Sequence, residues 1–191
     1  TTKVGDLTII CVVAEIWATE QSTVACTANS AAGRHWSALE AEVDQFVVRH
    51  RTGTHYTATA EHPGSFQPGD PIIAAATIQA DPDGSDEALR AYSNGLAGEP
   101  GYSNANPAFD RLGVGAFVRQ HESAGPAAYL DGQVAEVLVY NRVLTQDELN
   151  DIGFYLSGKY GITYIPEPTT VMLLGLGAVA LRKRYRRQNS C

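Results

Sequence analysis

The chain has 191 residues, 44% hydrophobic and 18% charged, a balance that fits one folded domain with a tail and excludes a disordered chain. Its formal net charge of −7 argues against a general nucleic-acid binder, so no nucleic-acid partner is expected. The charge is split: residues 162–191 hold Arg182, Lys183, Arg184, Arg186 and Arg187 against Glu167 alone, a net of +4 that leaves −11 on residues 1–161. The 18 glycines and 9 tyrosines beside a single methionine suit β structure with many turns.

In chain order, residues 7–16 (LTIICVVAEI) form a dense apolar, β-branched run and predict a buried strand. Residues 24–28 and 45–50 (QFVVRH) predict two more, and residues 55–60 (HYTATA) alternate with a strand's period of two. Residues 71–80 (PIIAAATIQA) begin with a proline where a strand edge tolerates it. The aspartate-rich stretch 81–86 is a turn by composition. Residues 89–93 predict a strand ending in Asn94-Gly95, a strong hairpin signal. Residues 96–108 show no period, whereas 111–118 (RLGVGAFV) and 133–140 (QVAEVLVY) complete the strands. The last of these is apolar on both faces, as for a strand inside a sandwich.

One helix stands out. Thr145-Gln146-Asp147-Glu148 spells a capping box. Leu149, Ile152, Leu156 and Tyr155 supply an apolar stripe, and Gly158 a stop. Eight to ten short strands with one late helix give an all-β fold class: an antiparallel β-sandwich or jelly roll with one short helix, then a separate apolar tail helix. The domains are residues 1–161 and the tail, 162–191. With no C-x-x-C pair a zinc site is not indicated. Cys11 and Cys26 fit either a disulfide or two small buried residues.

In the tail, Pro166, Glu167 and Pro168 break any preceding element, since both prolines lack a donor N–H. Thr169 and Thr170 can cap a helix starting directly after them. The next eleven residues carry no charge: Val171, Met172, Leu173, Leu174, Gly175, Leu176, Gly177, Ala178, Val179, Ala180 and Leu181. As a helix including the threonines they reach roughly 20 Å, against a hydrocarbon core of about 30 Å. Hydropathy alone therefore reads a buried helix. The basic cluster of residues 182–187 directly after it favours membrane insertion instead, with the basic end at the cytoplasmic face.

Pro-Glu-Pro-Thr, a short Gly/Leu-rich segment and a terminal arginine cluster together resemble the bacterial PEP-CTERM sorting signal, also known as an ice-binding-protein C-terminal motif, over residues 166–187. The resemblance implies export across the inner membrane of a Gram-negative bacterium. An inner-membrane-anchored precursor would await an exosortase-type sorting enzyme acting near residues 166–168, and the product would reach the cell envelope or extracellular matrix. In the body, residues 129–144 (YLDGQVAEVLVYNRVL) and the helix to Tyr160 and Gly161 look like the closing strand and helix of LamG-like jelly-roll domains, in the concanavalin A-like lectin/glucanase superfamily. Residues 89–95 and 111–115 match the two preceding strands. This likeness covers residues 71–161 and implies first strands lying before Thr1. It also implies extracellular polysaccharide or a surface protein as partner.

Glucanases of that superfamily carry acids on one strand as Glu-x-Asp-x-(x)-Glu. Glu42 and Asp44 share that spacing, and alternate strand residues share a face. The third carboxylate is missing, because Phe46 and Val47 stand there. Hydrolysis needs a base or nucleophile and a separate acid across the bond. No catalytic residue is therefore assigned, and a hydrolase using Glu42 and Asp44 is the alternative to a non-catalytic binding domain. Asp81, Asp83 and Asp86, with Glu87, offer oxygens to calcium but lack EF-hand spacing. No other cofactor is called for. His35, His50, His55, His62 and His121 read as solvated or capping, while Trp36, Tyr92, Tyr102 and Tyr129 suit either sugar stacking or packing.

Overall fold

The computed structural model describes residues 3–17, 21–28, 36–43, 45–52, 55–63, 70–80, 88–102, 107–118 and 127–166. Twelve strands and one helix are present among them. The strands are β1 (Lys3–Val4), β2 (Leu7–Ala14), β3 (Ser22–Ala28), β4 (Trp36–Glu42), β5 (Gln45–Thr52), β6 (His55–Pro63), β7 (Ile72–Ile78), β8 (Leu89–Ser93), β9 (Leu96–Ala97), β10 (Ala108–Phe109), β11 (Arg111–Val114) and β12 (Gln133–Tyr140); the helix is α1 (Gln146–Tyr160). They form two five-stranded sheets, ordered β11-β3-β4-β5-β6 and β12-β2-β7-β8-β9, with β1-β10 as a small third. All the named pairings are antiparallel. The chain is the expected antiparallel β-sandwich.

The two apolar runs read from the sequence are continuous because their sheet is covered on both faces. Ile9, Cys11 and Val13 of β2 and Ile72, Ala74 and Ala76 of β7 meet Leu39, Phe46 and Val48 of the facing sheet. The alternate residues, Ile10, Val12, Ile73 and Ala75, turn outward and are capped by Leu149 and Leu156 of α1, with Leu144 and Ile162 at its ends. A strand between a sheet and a helix has no face left for polar residues. The facing sheet has its own outer layer, where Cys26, Ala28, Trp36 and Ala38 pack under Phe117.

Local chemistry sets the ends of the elements. Thr145 accepts from the Glu148 N–H at 3.3 Å, Glu148 accepts from the Thr145 N–H at 2.9 Å, and Arg142 forks onto the same carboxylate at 2.6 and 2.7 Å. The Arg142 guanidinium and the cap hydrogen bonds hold Glu148 down to about 2. The Asn94-Gly95 turn has φ of 49° and 91° and joins β8 to β9, as its sequence predicts.

Four expectations change. The helix runs through Gly158 and stops at Gly161, whose φ of 69° and N–H bond to Ser157 O make the left-handed cap. Tyr155 is exposed and leaves the apolar stripe. The strand expected over 111–118 ends at Val114, since Gly115 turns at φ 71° and Phe117 bridges to Ala127 instead. The apolar strand 133–140 lies at a sheet edge beside β2, with most of its side chains only half-buried.

Candidate functional site

The outer face of β3, β4 and β5 holds a cluster of ion-paired side chains. Residues opposite each other in an antiparallel ladder share a face, so Thr23, Glu40 and Val47 stand in one row. Glu40 and Glu42, two apart on β4, both reach the guanidinium of Arg49 from β5. Gln21 donates its side-chain amide to Glu40 Oε1 at 2.6 Å. Glu40 is fully buried, whereas the Arg49 and Glu42 side chains keep 17% and 21% of their surface. Burial pushes the Glu40 carboxyl up, and the Gln21 amide and Arg49 guanidinium pull it back only in part. The Thr23 hydroxyl beside it is buried with no hydrogen-bond partner. At the sheet face the cluster presents the partly exposed Arg49 guanidinium and Glu42 carboxylate with the Gln21 amide, above the buried Thr23 hydroxyl. That inventory donates to and accepts from ligand hydroxyls.

Its geometry does not resemble an acid and a base flanking a bond. Both carboxylates grip one guanidinium, and the inner one has no access to solvent. Strand β4 ends at Glu42, and Val43 follows it at φ 27°. Asp44 itself lies outside the described residues. The carboxylate that shares a face with Glu42 is Glu40, which sequence reading passed over. Its signal was the same alternation, read two residues earlier.

A concavity of about 350 Å³ opens where β7 begins, between Asp70, Pro71, Ile72, Asn94, Gly161, Ile162 and Thr163. Asn94 Oδ1 accepts from the Ile73 N–H at 2.9 Å, which fixes one wall. Beside it the chain after α1 crosses back over the β8–β9 turn. The Ile165 N–H donates to Asn94 O at 2.9 Å, and the Tyr164 hydroxyl donates to Leu149 O at 3.2 Å. Two glycines admit this crossing: a Cβ on Gly95 would stand 2.8 Å from Tyr164 Cζ, and one on Gly153 would meet three carbons of the same ring. The described chain ends one residue later, at Pro166.

The other sequence candidates are dispersed. His50 is buried, bonded through Nδ1 to the Ser37 hydroxyl at 2.8 Å, and not part of a solvated patch. Trp36 stacks edge-on against Phe117, centroids 4.6 Å apart, and Tyr92 packs under α1. Tyr102 and Tyr129 are exposed, as is Trp17, which sequence reading missed. Cys11 belongs to the layer between the sheets and Cys26 to the outer layer beyond β3, so a sheet separates them and both are free thiols. No group of three metal-ligating side chains occurs among the described residues. The calcium candidates Asp81, Asp83 and Asp86, together with His35, His121 and the tail from Glu167 through Pro168, the 171–181 segment and the 182–187 basic cluster, lie outside them. No described helix is long and apolar enough to cross a membrane.

Comparison with known proteins adds two findings. Residues 165–187 match the family model described as PEP-CTERM protein-sorting motif. The sandwich is similar to the CBM40 domain of the Ruminococcus gnavus IT-sialidase in complex with α2,3-sialyllactose, at 16% identity and a TM-score of 0.59, over 80% of this chain and 84% of that one. It is also similar to the SAP-like pentraxin of Limulus polyphemus, at 13% identity and TM-score 0.55, over 76% of this chain and 68% of that one. The leech intramolecular trans-sialidase matches at 17% identity and TM-score 0.54, over 78% of this chain but 23% of that one. No curated protein matches the chain. The chain is an antiparallel β-sandwich whose residues 165–187 match the PEP-CTERM protein-sorting motif.

Proposed function

We propose that the protein is exported, that its tail directs membrane sorting and exosortase-type processing, and that its sandwich is a non-catalytic module for glycans of the envelope or extracellular matrix. The sorting motif at 165–187 is the observation that carries this reading, because it supports delivery to a membrane whatever the sandwich binds. The tail inserts its uncharged 171–181 segment, and the 182–187 basic cluster holds the cytoplasmic side of a Gram-negative inner membrane. Glycan binding is supported by the likeness to a carbohydrate-binding module and by the Glu40–Arg49–Glu42 cluster with its Gln21 amide. Fold alone does not carry a ligand.

The test is a glycan array probed with the full chain, its Glu42→Gln and Arg49→Met variants, and a parallel assay for hydrolysis of β-glucans. Retained folding with at least tenfold weaker binding in Glu42→Gln supports the site. Binding unchanged in both variants moves the ligand elsewhere, and a hydrolytic activity lost in Glu42→Gln replaces the binding reading with catalysis.

A further inference from the structure

The outward face of α1 is polarised along its length. Asp147 and Asp151 occupy its first half, and Phe154 and Tyr155, 53% and 60% exposed, stand in its second. Phe154 meets Tyr164 edge-on with centroids 5.5 Å apart. Ile165, half exposed, donates its N–H to Asn94 O in the β8–β9 turn, two residues before the exposed Leu96. On the other flank Lys159 lies 5.7 Å from the Tyr155 ring and bonds Glu136 at 3.0 Å. Large exposed apolar side chains scattered singly need no explanation, but four gathered around the point where the tail leaves the sandwich do.

The position of these side chains names their occupant. The chain leaves the sandwich through Ile165 and Pro166, and the uncharged segment begins at Val171. Five residues fully extended span at most about 17 Å. If the segment sits in a bilayer, the Pro166 junction, one residue from Ile165, cannot stand farther than that from the hydrocarbon boundary, of which the headgroup layer takes about 5–7 Å. Aromatic rings with a polar edge and flanking lysines are the side chains that settle at such a boundary. The acidic body, net −11 over residues 1–161, is repelled by anionic headgroups, so the attraction is apolar and needs the tether. A short tether supplies an effective concentration on the order of millimolar.

We propose that Phe154, Tyr155, Ile165 and Leu96 form a lipid-facing platform that seats the sandwich on the outer surface of the membrane while its tail is inserted. This rests on the membrane reading of the tail. Seated so, the junction at 165–168 lies at the interface, and the opposite sheet, with Arg49 and Glu42, faces away from the lipid.

The test places the full chain in zwitterionic phosphatidylcholine vesicles with and without brominated acyl chains. Phe154→Trp adds an indole to the platform and Asp147→Trp adds one to the far end of the same helix; the unsubstituted chain gives the signal of Trp17 and Trp36. The result expected is flotation of all three with the vesicles, with the added emission of Phe154→Trp quenched at least twofold and that of Asp147→Trp unquenched. Flotation with neither indole quenched overturns the platform and leaves the tail reading standing. The same holds if a dimer appears by cross-linking with these side chains buried in it, which hands the surface to a second copy. Failure to float overturns the tail reading and the platform with it.

Discussion

Replacing Gly153 by alanine tests what ties the tail junction to the sandwich. A Cβ at this position would lie closer than 3 Å to three carbons of the Tyr164 ring, the farthest being Cε1 at 2.7 Å. The ring must swing off the helix to admit it. It then forfeits its hydroxyl bonds to Leu149 O and Asn150 Oδ1, its edge contact with Phe154 and part of its burial. Those losses amount to about 1 kcal/mol for the hydrogen bonding, about 0.5–1 kcal/mol for the ring pair and roughly 1 kcal/mol for exposed area. Against them stands about 1 kcal/mol gained from alanine over glycine inside a helix. The net expectation is a loss of about 1.5–2 kcal/mol, a fall in Tm of roughly 3–8 °C for a domain of this size. In a Tyr164→Ala background the clash is gone, and the same substitution should stabilise by up to about 1 kcal/mol. Urea unfolding of the four proteins in a double-mutant cycle reads the coupling directly. A Gly153→Ala protein as stable as its parent, with no sign change in the Tyr164→Ala background, refutes the reasoning.

The charge cluster and the core give three further expected outcomes. The raised Glu40 carboxyl contributes stability that is complete below its ordinary value near 4.5 and fades as pH rises through the raised value. Glu40→Gln should therefore gain on its parent in urea midpoint as pH goes from 4.5 to 8; the opposite slope refutes it. Arg49→Met strands the buried Glu40 charge and should cost about 3–5 kcal/mol at pH 7, falling sharply in a Glu40→Gln background. Burial pushes the Cys11 thiol up to about 12, so maleimide should leave Cys11 unlabelled in the native chain at pH 8 and label it in urea, as read by peptide mass spectrometry.

The sandwich was readable from sequence where one physical demand dominated. A capping box over residues 145–148, an Asn-Gly hairpin and two apolar runs each have a single local cause, and each appears where its residues predict. Boundaries failed where tertiary contacts outweighed local signals. The helix passes through Gly158, an interior glycine that costs about 1 kcal/mol against alanine without forcing a stop, and continues to Gly161, whose positive φ ends it. Strand β4 escaped notice because WSALEAE buries six of its seven residues under two layers, the inner sheet contacts and the Trp36–Phe117 cover, neither visible locally. The charge cluster was half visible. Alternation places two carboxylates of β4 on one face, but the cation that binds both comes from the neighbouring strand through register, which local sequence does not show. The tail was legible because its parts lie in order along the chain.

The measurement that tests the central claim most directly is the intact mass of the protein's C-terminus in its native host, fraction by fraction. A sorted and processed protein ends between residues 165 and 170 in the envelope or medium, with a precursor retaining Cys191 confined to the inner membrane. Recovery of the whole population in the cytosol, intact through Cys191, contradicts sorting by this tail.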